Sequence, residues 1–253
     1  MLPGLPCVDI LGVPVARLRR AEALDAVERA AEEMPPALVV YANAHTINVA
    51  CADPAYLALL RDRTAVILND GSGVAIAGRL AGAPFYENLN GTDFNPSILG
   101  IAARRGWPVF FIGAAPGVAD RAAAILVDRI PGLDVVGIAD GYAGAASEES
   151  LVARVRDAGA QVVMVGMGNP LQEEWLDRNL VRTGARLGVG VGAFFDFTAG
   201  EKPRAPEWLI RLGLEWVHRL LVEPRRLWRR YVVGNPLFLA RILRRRPRPA
   251  VTS

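Results

Sequence analysis

Cysteine and histidine are scarce in this 253-residue chain. Cys7 and Cys51 are its only cysteines and lie far apart, which excludes a disulfide framework and fits a reducing compartment. His45 and His218 are the only histidines, and no Cys/His cluster has zinc-site spacing, so no metal site is expected. Long apolar runs are missing too: none approaches the ~18–20 residues that a membrane-spanning helix needs. That holds even though the mean hydropathy is +0.23 and 52% of residues are hydrophobic. The opening residues, MLPGLPCVDI, have no basic stretch ahead of an apolar core, so no secretory signal is expected. The dinucleotide pattern GxGxxG is absent from residues 71–76 and 113–118, and Gly188-x-Gly190-x-Gly192 lies inside a strand-like run. A nicotinamide or flavin cofactor is therefore disfavoured, and no cofactor is expected.

Basic charge, by contrast, is concentrated at one end. Residues 202–253 carry 13 Lys and Arg against 3 Asp and Glu, whereas residues 1–201 carry 16 against 23. An acidic body with a basic tail points to a polyanionic partner: nucleic acid, a phosphorylated substrate or an anionic membrane surface.

The body alternates two kinds of segment. Apolar runs at 37–41, 64–69, 107–113, 133–138, 161–168 and 185–192 read as buried strands. Helical patterns fall between them, at about 46–61, 74–80, 119–129, 147–157 and 171–182. Uniformly apolar strands alternating with helices predict an α/β fold, a Rossmann-like core with a mostly parallel sheet covered on both faces. In such folds ligands bind beyond the carboxyl ends of the strands. That directs attention to Asn43, Asp70, Gly113, Gly168-Asn169-Pro170 and 192–196.

The pattern changes after Arg204-Ala205-Pro206. Trp208, Leu209, Leu212, Trp216 and Leu220 recur at helical spacing, Glu223-Pro224 starts a second helix, and PLFLARILRRR forms a third segment. Arginine interleaved with Leu, Trp and Phe suits a water–lipid boundary. The expected division is a Rossmann-like core over residues 1–203 and a basic helical appendage suited to a membrane surface over 204–253.

Asp70 closes an apolar strand and precedes Gly71-Ser72-Gly73 and a helix. A helix cap and a catalytic acid both favour such a position, and position alone does not separate them. Gly91-Thr92-Asp93 reads as a second turn or cap. Gly166-Met167-Gly168-Asn169-Pro170 joins a buried strand to the helix of Gln172 and Glu173, exposing backbone N–H groups suited to a diphosphate. No Asp-x-Asp pair, a common means of holding a nucleotide diphosphate through a divalent ion, occurs in the chain. Arginines and helix N-termini remain as the neutralising groups.

Several segments in order carry a resemblance: YANAHTINVA with Asn43, LNDGSGVAIAGRLAG with Asp70, NGTDF, FFIGAAPGVADRAA, VGMGNPLQEEW, VGVGAFFDFTAGEKPRAPEWL and GLEWVHRLLVEPRRLWRRY. Together, over roughly 38–239, the chain resembles the WecG/TagA/CpsF family of bacterial glycosyltransferases. The resemblance implies transfer of N-acetylmannosamine, its uronic acid or glucose from a UDP donor to an undecaprenyl-diphosphate-linked saccharide. The products belong to teichoic acid, common antigen or exopolysaccharide synthesis. It further implies a cytoplasmic enzyme, peripheral on the inner face of the plasma membrane, whose appendage completes the active site. Asp70 matches the family's general base, and Asn43 and Gln172 match pocket residues. Thr92, Asp93 and Gly168 belong to matched substrate-binding motifs, and Arg219, Arg226 and Arg229 match arginines that meet a diphosphate. Two positions depart from the family pattern: Asn88 stands where an Arg is often found shortly before the GTD motif, and Tyr41 replaces a common Thr. The competing readings are a Rossmann-type nucleotide-binding protein and a nucleic-acid module built on the basic tail. Aliphatic rather than polar base-reading companions of the arginines argue against nucleic acid. Homo-oligomer formation is left open.

Overall fold

The computed structural model describes residues 1–140, 148–245 and 248–249. Six apolar segments form one parallel sheet: β3 (Ala37–Ala42), β4 (Val66–Asn69), β5 (Val109–Gly113), β6 (Val135–Ala139), β7 (Val162–Gly166) and β8 (Leu187–Gly190). Their spatial order is β4-β3-β8-β7-β5-β6. These are the six runs read as strands from the sequence, and five of them, β3, β4, β5, β7 and β8, are buried at every position. Two-sided burial explains why they read as continuous apolar runs rather than alternating ones. A second, antiparallel sheet was not evident in the sequence pattern. It joins β1 (Cys7–Ile10) and β2 (Val13–Ala16) with the short β9 (Arg248–Pro249), in the order β2-β1-β9.

Helices cover both faces of the parallel sheet. On one face lie α1 (Arg20–Glu33), α5 (Gly91–Arg105), α6 (Val118–Arg129) and α9 (Phe194–Thr198). On the other lie α2 (Ala44–Ala52), α3 (Pro54–Ala58), α4 (Gly71–Leu80), α7 (Glu148–Asp157) and α8 (Leu171–Thr183). The single helix expected at 46–61 is broken at Asp53, whose Oδ1 accepts from the Ala55 and Tyr56 amides while Pro54 opens α3. A wider π-type turn over 59–63 follows. Residue 147, where another helix was expected to begin, lies outside the described residues.

Beyond residue 204 come α10 (Glu207–Arg211), α11 (Glu215–Val222), α12 (Pro224–Trp228) and α13 (Gly234–Arg244). The helix expected through 208–220 is two helices, parted at Gly213, whose φ of +71° suits glycine. A π-type turn over 229–233 links α12 to α13. Phe238 and Ile242 of α13 are buried in the same core as α2 and α4, a contribution of roughly 1.5–3 kcal/mol for each side chain. Arg241 Nη1 donates to Asn48 Oδ1 at 2.8 Å, and Asn48 Nδ2 donates to the Gly234 carbonyl at 2.7 Å. The basic tail is thus seated on the core through its last helix. Arg246, one of the tail arginines, lies outside the described residues.

Candidate functional site

The site forms at the carboxyl ends of the parallel strands β3, β4, β5, β7 and β8. Asn43 leaves β3 and caps α2: its Oδ1 accepts from the His45 and Thr46 amides at 3.0 and 3.1 Å. That fixes the amide so that Nδ2 donates to Asp70 Oδ2 at 3.3 Å. Asp70 occupies the N-cap position of α4, yet its side chain makes no capping bond. Asn88 does so instead, its Oδ1 accepting from the Gly71 amide at 2.9 Å. The departure at Asn88 therefore satisfies the helix start and leaves the Asp70 carboxylate directed toward the site. Burial raises the Asp70 carboxyl above the ordinary carboxylate range, opposed by Arg219, the Asn43 hydrogen bond and Arg230.

Two cavities meet at Asp70. One, of about 220 Å³, is lined by the turns after β5, β7 and β8, by Thr92, Gly168 and Gln172, and by Lys202, Arg219, Arg226 and Arg230. The other, of about 240 Å³, has Ile76, Ile210, Trp216, Tyr231, Phe238 and Leu239 in its wall. Asn43, Asp70, Glu215, Arg219 and Arg230 line both. The first cavity is cationic and the second largely apolar, with the Asp70 and Glu215 carboxyl groups between them.

The glycine-rich turns approach one another closely. At Gly113, with φ +130°, a Cβ would lie 2.5 Å from the Gly166 carbonyl oxygen, so only glycine fits. Gln172 Oε1 accepts from the Gly168 amide at 3.1 Å and the Gly192 amide at 2.9 Å, tying the turn after β7 to the turn after β8. Tyr41, in place of a Thr, fills the cavity floor beneath Gly91 and donates from its hydroxyl to Asn95 Oδ1 at 2.6 Å.

The cations differ in how they are occupied. Lys202, the only lysine, pairs with Asp196 at 3.2 Å and Glu223 at 3.5 Å, and Arg226 pairs with Glu223. Arg219 lies 5.2 Å from the Phe197 ring centroid. Arg230 buries its Nε without a hydrogen-bond partner among the described residues. Burial also pushes the His45 imidazole down to about 4, with Arg230 as the second cause, so this ring in the apolar cavity is neutral at pH 7. Glu215 is pushed up, first by burial and then by Asp70.

Two matched residues stand apart from the cavities. Asp93 lies in the first turn of α5, where its Oδ2 accepts from Asn90 Nδ2 at 2.9 Å and Arg204 Nη2 at 2.5 Å. Burial would raise its carboxyl, but the Arg204 and Asn90 hydrogen bonds outweigh that and hold it below the ordinary range. Arg229 is exposed, with its guanidinium 5.4 Å from the Trp228 ring centroid. Lys202, Glu215 and Arg230 line the site without having been singled out in the sequence, although all three fall within the matched segments.

The family model for the Glycosyl transferase WecG/TagA/CpsF family matches residues 8–251. The chain belongs to this family. The match spans the parallel sheet, both cavities and helices α10 to α13 of this WecG/TagA/CpsF chain. A protein of Bacillus spizizenii named N-acetylglucosaminyldiphosphoundecaprenol N-acetyl-beta-D-mannosaminyltransferase is 32% identical over 208 residues, 82% of this chain and 79% of the relative. Relatives with the same name are 31% identical over 179 residues in Bacillus subtilis, covering 70% and 68% of the two chains, and 29% identical over 237 residues in Staphylococcus aureus, covering 93% and 91%. No helix among the described residues of this glycosyltransferase is long and apolar enough to cross a membrane.

Proposed function

We propose that this family member transfers N-acetylmannosamine from a UDP donor to N-acetylglucosaminyldiphosphoundecaprenol, inverting the anomeric carbon. The names of the relatives support the sugar and the acceptor. The observation that carries the reading is the position of Asp70 at the meeting of a cationic cavity and an apolar one. In this reading the cationic cavity takes the nucleotide sugar, with Thr92, Gly168 and Gln172 in its wall. The apolar cavity takes the acceptor sugar and the start of its lipid.

The chemistry follows from those positions. An acceptor hydroxyl is a weak nucleophile, and Asp70, oriented by Asn43, takes its proton as the oxygen attacks the donor's anomeric carbon. The bond from that carbon to the UDP oxygen breaks, and UDP leaves with the electron pair. Attack from the opposite side turns an α-linked donor into a β-linked product. Charge grows on the departing diphosphate, where Arg219, Arg230, Arg226 and Lys202 stabilise it in place of a divalent ion. The test is UDP release across UDP-N-acetylmannosamine, its uronic acid and UDP-glucose, with a polyprenyl-diphosphate-linked N-acetylglucosamine acceptor and EDTA present. Release is expected with UDP-N-acetylmannosamine, dependent on acceptor and unaffected by EDTA. Release with none of the three donors would overturn the reading.

Residues 204–253 form the appendage that completes the site in this reading and docks on the cytoplasmic face of the membrane. Leu221, Leu243, Leu212 and Trp208 are 76%, 69%, 64% and 61% exposed, and the exposed arginines 225, 229, 244 and 245 lie among them in sequence. Apolar side chains flanked by arginine bind where acyl chains meet lipid phosphates. The double variant Leu221→Glu, Leu243→Glu is expected to lose at least ~90% of its sedimentation with phosphatidylglycerol vesicles, since each buried leucine is worth about 1.5–3 kcal/mol. UDP binding should be unchanged. Undiminished sedimentation would exclude this surface.

A further inference from the structure

Beneath the glycine turns of the polar cavity lies a carboxyl that the transfer chemistry does not use. Glu173, in the first turn of α8, is 0% exposed. Its Oε1 accepts from Asn169 Nδ2 at 2.6 Å and from Gln172 Nε2 at 2.7 Å. Its Oε2 is buried without a hydrogen bond of normal geometry among the described residues, and the Tyr56 hydroxyl of α3 is the neighbouring polar group. The backbone makes room for this contact at Gly190, where a Cβ would lie 2.9 Å from Gln172 Nε2 and 3.2 Å from Glu173 Oε1.

The consequence falls on Gln172. An amide has one accepting and one donating end, and only one orientation serves here. With Nε2 donating to Glu173, Oε1 faces the Gly168 and Gly192 amides and accepts from both. Rotated by half a turn, the amide would set its NH₂ against two N–H groups and leave them unsatisfied. We propose that Glu173 is a positioning residue for the donor site: it fixes the Gln172 amide and, through it, the spacing of the two glycine turns that wall the nucleotide-sugar cavity. This rests on the donor assignment made above, but the hydrogen-bonded chain itself does not.

The brace works without a full charge. Burial pushes the Glu173 carboxyl up to about 7, against the hydrogen bonds that favour the anion. Protonated on Oε2, the group still presents Oε1 to both amides. The polar and titratable groups nearest it are Tyr56 from α3, Asn169 and Gln172, with Glu174 beside Tyr56. Charges on the other elements packed against α8 are taken up in exposed pairs: Arg63 of the 59–63 turn with Asp177, and Glu148 and Glu149 of α7 with Arg178 and Arg182. Stability follows the proton. The unfolded carboxyl loses its proton near its ordinary value of 4.5, the folded one only near 7. The native state therefore binds more protons between those values and loses stability as pH rises through that window.

The test compares Glu173→Gln, which keeps an acceptor of the same shape, with Glu173→Leu, which removes it. Calorimetric UDP affinity and donor KM are expected to stay within about twofold of wild type in the Gln variant and to weaken about tenfold in the Leu variant, as expected for buried donors left unpaired. The kcat should stay within about threefold in both, because Asp70 is untouched. Amide hydrogen exchange at Gly168 and Gly192 should quicken in the Leu variant alone. The Gln variant should also lose the decline of Tm between pH 5 and 7. Unchanged exchange and UDP affinity in the Leu variant would overturn the proposal, as would a Gln variant as impaired as the Leu one. A Leu variant that does not fold leaves the Gln variant's UDP affinity and its Tm profile to decide. If wild type binds no UDP, the donor assignment fails, while the exchange rates still decide whether Glu173 holds the turns.

Discussion

Replacing Asp70 with Asn is expected to lower kcat by about 10³-fold, within the range by which a positioned base accelerates proton transfer. Asn keeps the shape of the side chain and its contact to Asn43 but does not take a proton from the acceptor hydroxyl. The fold should not suffer, because the amide at Gly71 is capped by Asn88 and not by Asp70. Stability should even rise slightly at neutral pH. A carboxyl raised on folding binds its proton more tightly in the native state, so its ionisation costs native stability above the folded pKa and nothing below the unfolded one. The neutral amide removes that cost. The same shift predicts the pH dependence: kcat/KM of the wild type should climb to a plateau, with a midpoint above the ordinary carboxylate value of 3.8. Steady-state UDP release, UDP calorimetry and thermal melts check the three parts. Near-normal turnover in a folded, UDP-binding variant would remove Asp70 from the mechanism.

The alternation of apolar runs with helical patterns was enough to read all six strands of the parallel sheet, because a strand buried on both faces must be apolar throughout. It was not enough for α5. The segment Asn90-Gly91-Thr92-Asp93 through Pro96 has turn composition, yet Asn90 caps a 15-residue helix and Pro96 sits in its second turn. The β1–β2 hairpin has strands of only four residues, too short for a period to register. Asp70 was legible as a strand-end acid, but its freedom from capping depended on Asn88, 18 residues further on in the chain and joined only in space. Glu173 shows the same limit from the other side. Its sequence position suggests an exposed first-turn acid, and only the packing of α8 on Gly190 buries it.

The tail arginines lead to the second large effect. Arg219, Arg226 and Arg229 follow one another at spacings that would share a face of an unbroken helix. Between Arg226 and Arg230, however, α12 passes into the π-type turn over 229–233, which shifts the helical phase. Arg229 lies outside, against Trp228, whereas Arg230 lines both cavities beside Asp70 and Arg219. Arg230 is also the costlier side chain to place there, with a buried Nε that lacks a hydrogen-bond partner among the described residues. Burial lowers its pKa, whereas nearby Asp70 and Tyr231 favour the charged form. A buried guanidinium with an unmet donor suits a place where an anion arrives, and the departing diphosphate of the proposed reaction would be such an anion. Arg230→Gln is therefore expected to lower kcat/KM by about 10²-fold or more, the usual cost of losing one donor to developing charge. Arg229→Gln should stay within about threefold when acceptor is supplied in detergent, since an exposed charge is largely screened there. Equal losses in the two variants would mean that lining the cavities does not set Arg230 apart from Arg229, and a normal Arg230→Gln rate would place the leaving group on Arg219, Arg226 and Lys202 alone.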